Sequence, residues 1–202
     1  MKMKKIIVLG MCIVLASCFD IRASIELRAD GSARVRYDLA LDKAMSGLIS
    51  QSQSKDESVK TINPIEDLKN KNLPGVRVIS ETQETDAEGK VHYIAVFELD
   101  DIEKLNDEGS KITFTRDGGE IALLYVLSGG EGAASMDSSA KEMEQFIKAM
   151  FSNYVIEYEI TMPGSIVRSN AHESYGTTAR WHYKLLDVME KPVQFEIRSR
   201  VR

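Results

Sequence analysis

The 202-residue sequence predicts an α+β fold: a mainly antiparallel β-sheet of about nine strands in hairpins, with about three helices packed on one side. Three observations predict it. Apolar and polar residues alternate at period two over many short segments, as half-buried strands require. Short polar or glycine-containing turns join these segments, which favours hairpins over parallel crossovers. Between them lie three stretches with helical spacing, two of them opened by capping signals.

Ile21, Ala23, Ile25 and Leu27 alternate with Arg22, Ser24 and Glu26; Val35, Tyr37, Leu39 and Leu41 alternate with Arg34, Arg36, Asp38 and Ala40. Parity selects the turn between these two strands. A two-residue Asp30-Gly31 loop sets Leu27 opposite Arg34 and mixes the faces. A three-residue loop, Ala29-Asp30-Gly31, sets Ile25 opposite Val35 and Ala23 opposite Tyr37, and gives Gly31 the left-handed position. It also sets Glu26 opposite Arg34 and Arg22 opposite Asp38, so the arginines read as cross-strand charge partners.

A helix is expected over residues 42–53, with Met45, Leu48 and Ile49 on one face. A second is marked by Asn63-Pro64-Ile65-Glu66, with an N-cap, a proline at N1 and an acid at N3, and it stops at Pro74-Gly75. Strands over residues 76–82 and 90–99 flank a polar turn at 86–89. Strands over 112–115 and 121–127 flank Asp117-Gly118-Gly119. Residues 128–138, rich in Gly, Ala and Ser, read as a loop before the capping box Ser139-Ala140-Lys141-Glu142. Met143, Phe146, Ile147 and Met150 then mark a third helix face. Three alternating strands follow, over residues 154–162, 177–186 and 193–201.

The N-terminus has its own logic. Met1-Lys2-Met3-Lys4-Lys5 precedes an apolar run over residues 6–16 that is too short to span a bilayer, and then Ser17-Cys18. This is a secretory signal peptide. Leu15-Ala16-Ser17-Cys18 resembles the lipobox of bacterial lipoproteins, which implies cleavage before Cys18 and a lipid on its sulfur. The expected organisation is a signal peptide over residues 1–17 and a single extracytoplasmic α+β domain over 18–202. The chain is held by lipid on the extracytoplasmic face of the cell membrane or the outer membrane. A single acyl chain anchors only marginally, so stable attachment requires the several chains of a lipoprotein cysteine. The first strand starts almost at once after Cys18, without a Ser/Gly/Pro tether, so the domain is expected to sit against the headgroups.

Cys12 and Cys18 are the only cysteines. A mature chain with Cys18 lipidated has no free thiol, which excludes an internal disulfide framework or a cysteine nucleophile. Losing Lys2, Lys4 and Lys5 leaves 23 basic against 31 acidic residues, a net charge of −8. That balance argues against a nucleic-acid partner. No second apolar span is long enough to cross a membrane.

Several segments together resemble the LppM-type lipoproteins of bacterial envelopes. They are the lipobox followed by a strand and Asp30-Gly31, the strand end Phe97-Glu98-Leu99-Asp100-Asp101, and Tyr158-Glu159-Ile160-Thr161-Met162-Pro163-Gly164-Ser165-Ile166 continuing to Ser169-Asn170, with Trp181 in the next strand. The resemblance implies an envelope domain linked to lipid or glycolipid binding, and carries no catalytic residue. Read without the resemblance, Pro163-Gly164 fits the centre of a type II turn, with glycine supplying positive φ, and Asn170 fits another turn.

No chemistry is assembled. Ser138-Ser139-Ala140-Lys141 and Ser52-Gln53-Ser54-Lys55 match Ser-x-x-Lys, but no Lys-Thr-Gly accompanies them, and capping explains Ser139. His92, His172 and His182 have no metal-ligand spacing and read as surface histidines. Arg198, Arg200 and Arg202 share a face with Glu196, as a solvated outer face does. Neither cofactor nor metal is expected, and the reading is non-enzymatic. Met143, Ile147, Met150, Tyr154, Tyr158 and Trp181 are the speculative ligand-binding set. Core packing accounts for most of them, while methionines and half-polar aromatics also suit a lipid cavity under the 139–151 helix. Two functions compete: a binding module for an envelope lipid or glycolipid, and a scaffolding lipoprotein that engages an envelope protein through exposed sheet edges.

Overall fold

The computed structural model describes residues 19–42, 74–107, 109–127 and 154–201. These residues build two stacked sheets. β1 (Phe19–Leu27), β2 (Ala33–Leu41), β3 (Val76–Thr85), β4 (Val91–Leu99), β7 (Val155–Thr161), β9 (Glu173–Tyr175) and β10 (Thr178–Lys184) form a seven-stranded sheet in the order β3-β4-β2-β1-β7-β10-β9. β5 (Ser110–Asp117), β6 (Glu120–Leu127), β8 (Ser165–Ser169) and β11 (Val193–Arg200) form a four-stranded sheet in the order β5-β6-β11-β8.

This overturns the expected α+β class. Strands take up 67% of the described residues, and the helical elements among those residues are a 3-10 turn at Ile102–Leu105 and the six-residue α1, Leu185–Glu190. A second sheet, not a layer of helices, covers the inner face. The physical reason is that period-two alternation identifies a half-buried strand but not the partner that buries it. Phe195 and Ile197 on β11 read the same whether they join the first sheet or stack on it. The helices expected over 42–53, after Pro64 and over 139–151 lie outside the described residues, as do both Ser-x-x-Lys segments. The described strands number eleven, not nine: β8 and β9 follow Met162, where only turns were expected.

The first hairpin follows its parity argument. Ile25 pairs with Val35, Ala23 with Tyr37, Glu26 with Arg34 and Arg22 with Asp38. Gly31 has φ +88°, a conformation costly for a residue with a Cβ. The expected charge partners differ, however. Arg34 reaches Glu98 on β4 at 3.7 Å, and Arg22 reaches Glu157 on β7 at 3.9 Å. β1 and β2 are central strands, so each arginine has a second flanking strand that a hairpin argument cannot see. The β1–β7 pairing is parallel, which a long connection between strands permits and a hairpin does not.

The core lies between the sheets. Ala23, Ile25, Val35, Ile160 and Trp181 from one sheet meet Ile121, Leu123, Phe195 and Ile197 from the other. Ile102 is fully buried at the 3-10 turn and its N–H donates to Gly31 O at 2.9 Å. Aromatic rings bridge the layers: Phe195 lies 4.7 Å from Tyr158 and 5.3 Å from Trp181, ring centre to ring centre.

Candidate functional site

The outer face of the seven-stranded sheet is a charged lattice. One row across β4, β2, β1, β7 and β10 reads Ile94, Asp38, Arg22, Glu157, His182. The next row, towards the start of β1, reads His92, Ala40, Asp20, Val155, Lys184. In the first row Arg22 stands between Asp38 and Glu157, so opposite charges meet across strands there; in the second, Ala40 and Val155 separate the charged groups. Small Ala40, flanked by His92 and Asp20, leaves the floor of a cleft of about 320 Å³. The β3–β4 turn, through Asp86, Ala87 and Glu88, forms one wall.

The cleft's charged groups are cross-linked. Lys90 Nζ lies 3.1 Å from Asp20 Oδ2, with both side chains mostly buried. His92 Nδ1 lies 2.8 Å from Asp38 Oδ1, and Nε2 lies 3.3 Å from Asp86 Oδ2. Asp86 caps its own turn, since Oδ1 accepts from the backbone N–H of Glu88 at 2.9 Å and of Lys90 at 2.8 Å. The Asp38 hydrogen bond, more than that of Asp86, raises the His92 pKa above its ordinary value against the opposing effect of burial. The Lys90 N–H first, and His92 after it, hold the Asp86 carboxyl below the usual range. Four carboxylates, Asp20, Asp38, Asp86 and Glu88, thus stand beside Arg22, Lys90 and His92. Such a surface offers hydrogen-bond acceptors and cations to a polar ligand. Among the described residues no group of three His, Cys, Asp or Glu is placed to hold a metal ion, and no helix is long and apolar enough to cross a membrane.

Of the expected ligand set, Tyr154, Tyr158 and Trp181 are buried core residues at 2%, 7% and 0% exposure. Tyr158 is hydrogen-bonded to Tyr125 of the facing sheet, so its hydroxyl is satisfied inside the protein. Burial pushes the phenol pKa values of Tyr37, Tyr125 and Tyr158 up. Met143, Ile147, Met150 and Cys18 lie outside the described residues. The expectation of three surface histidines needs correction for His92, whose side chain is 17% exposed and held between two carboxylates. His182 is exposed on the polar face, as its alternation implies, and its backbone N–H donates to His172 Nδ1 at 3.0 Å. Arg198 and Arg200 are paired, at 3.9 Å to Glu196 and 2.6 Å to Glu120.

The segment 163–170 is structural, by other means than turn chemistry. Gly164 is absent from the positive-φ glycines; a Cβ there would overlap the carbonyl of Arg200 on β11. The glycine permits close backbone approach. Asn170 is a hub. Its Oδ1 accepts from Trp181 Nε1 at 3.0 Å and from the Glu196 N–H at 2.8 Å, while Nδ2 donates to Gln194 O at 2.9 Å.

Sequence reasoning missed the cleft residues Asp20, Asp38, Asp86, Lys90 and His92. Two signals for them were present: His92 alternates onto the outer face, and Asp86-x-x-Gly89 is a turn whose carboxylate faces back along β4.

The LppM domain family model matches residues 20–196 of the chain. The NMR structure of the folded domain of the LppM protein of Mycobacterium tuberculosis is similar at 16% identity, covering 92% of this chain and 91% of that one, with a TM-score of 0.49. No curated protein matches the chain.

Proposed function

We propose, from the premise that this chain belongs to the LppM-domain family and so to a lipoprotein family of the envelope, that it is a non-enzymatic lipoprotein whose domain binds the headgroup of an envelope lipid or glycolipid. In this reading lipid on Cys18 holds it on the extracytoplasmic face of the cell membrane or outer membrane. One observation supports it most: the cleft lies close in sequence to Cys18, where this reading places the anchor. Asp20 lines it, two residues past Cys18, and two residues span at most about 7 Å. An anchored domain therefore carries this cleft at headgroup depth. Its carboxylate-rich lining suits hydroxyls and amines rather than an acyl chain. This moves the ligand reading away from Tyr158 and Trp181.

Native mass spectrometry of the membrane-extracted protein tests this. Co-purified envelope lipid is expected, and Lys90→Ala with Asp20→Ala should reduce its occupancy while leaving the melting temperature close to wild type. Loss of the lipid adduct from both proteins equally, or its absence from wild type, sinks the reading. A scaffolding role is the second reading. It draws on the edge strand β3, where Val78 and Ile79 are 38% and 42% exposed. Crosslinking to an envelope protein through β3, with no lipid retained, would favour it.

A further inference from the structure

His92 stands between two carboxylates on two different elements: Asp38 on strand β2, at 2.8 Å from Nδ1, and Asp86 in the β3–β4 turn, at 3.3 Å from Nε2. A neutral imidazole has one N–H; only the imidazolium has two. Both contacts are therefore hydrogen bonds only when the ring is charged. On deprotonation one ring nitrogen becomes a lone pair facing a carboxylate. The shorter Asp38 contact retains the remaining proton, and the Asp86 contact is the one lost.

We propose that His92 is a proton-operated latch that fastens the β3–β4 turn over the cleft at the anchored end of the sheet when protonated, and releases it when neutral. The proposal depends on this geometry and on no ligand, so it stands or falls apart from the headgroup reading. Asp86 is the pivot, since one of its oxygens receives His92 while the other holds the N–H groups of Glu88 and Lys90. Losing the His92 contact removes the carboxylate's tie to the ring six residues on in the same hairpin, so its hydrogen bonds to the Glu88 and Lys90 N–H groups open more readily.

The other charged groups facing His92 set its environment. On β2, Arg36 lies 3.7 Å from Asp38 and competes for it. On β3, Glu84 stands opposite His92 in register. On β1, Asp20 and Arg22 line the same cleft, with Lys90 bound to Asp20; Glu88 completes the wall. The acids outnumber the cations, so the local field favours the imidazolium. Burial of the ring opposes it and is outweighed.

The turn's release is read directly from the Glu88 and Lys90 amides. Hydrogen exchange of the full protein in detergent micelles, corrected for intrinsic rates, should show several-fold lower protection of these two amides at pH 8.5 than at pH 5.5. The loss should share its midpoint with the His92 ring titration seen by NMR. His92→Gln should abolish the pH dependence. Asp38→Asn should abolish it too, because a neutral His92 then keeps its single N–H for Asp86. Equal protection at both pH values in wild type overturns the proposal. So does an unchanged pH dependence in His92→Gln, which would place the titration elsewhere.

Discussion

Asn170→Ala isolates one hydrogen bond that joins the sheets' aromatic core to a surface segment. The substitution removes two acceptor contacts and one donor contact: Trp181 Nε1 at 3.0 Å, Glu196 N at 2.8 Å and Gln194 O at 2.9 Å. Asn170 itself is exposed, so water replaces the amide at the two backbone groups at little cost. The indole is different. Trp181 has 0% exposure, and its N–H loses its partner. An orphaned buried donor costs about 1–3 kcal/mol. At ~2–4 °C per kcal/mol for a domain of this size, Asn170→Ala should lower the melting temperature by about 2–12 °C.

A double-mutant cycle with Trp181→Phe separates this bond from everything else the substitution does. Phenylalanine has no N–H to orphan, so Asn170→Ala should be nearly free in that background. The coupling should then recover most of the ~1–3 kcal/mol. Trp181 is the only tryptophan, so far-UV circular dichroism in urea, not fluorescence, is the assay. Equal costs of Asn170→Ala in the two backgrounds would refute the reasoning, and would mean that the indole N–H finds another partner.

Four further outcomes are expected. Gly164→Ala drives a Cβ into the backbone of Arg200, so β11 must move and stability should fall by ~1–3 kcal/mol; Gly31→Val, at φ +88° and with Phe114 Cε1 3.2 Å from the new Cβ, should cost a similar ~1–3 kcal/mol of strain. Wild-type urea midpoints for either variant would contradict this. Ser199 is fully buried, and among the described residues its hydroxyl has no hydrogen-bond partner; Ser199→Ala should therefore be neutral or raise stability by up to ~1 kcal/mol, and a marked loss would show that the hydroxyl is satisfied. Finally, the His92 pKa is raised in the folded state, so its stabilisation is complete below the ordinary 6.5 and is lost as pH rises through the folded value. The urea midpoint should accordingly fall from pH 6 towards pH 9, and the part of that fall due to His92 should vanish in His92→Gln.

The corrections share a cause: pairing beyond nearest neighbours. The hairpin of β1 and β2 was legible down to its register, because parity and one glycine in the turn leave a single arrangement that keeps both faces consistent. The hairpins β3–β4 and β5–β6 were legible for the same local reason. β8 and β9 were not, because five and three mostly exposed residues carry too little alternation to announce a strand. Gly164 and Asn170 were read as turn residues from their type, whereas their actual roles depend on β11 and Trp181, both distant in sequence. The cleft was equally hidden, since Asp20, Asp38, Asp86 and His92 belong to four separate elements that meet only once β1, β2 and β4 align.

By itself, then, the sequence determined the strands with strong alternation, the first hairpin's register and the resemblance that the family match bears out. These are local properties, set by spacing along the chain. Tertiary structure alone decided that, among the described residues, a second sheet stacks on the first, that β1 pairs with β7 in parallel, that Tyr158 and Trp181 point into packed core, and that His92 bridges two carboxylates. Each depends on which distant strand supplies the neighbour. Alternation states that a face is buried; only the folded chain states what buries it.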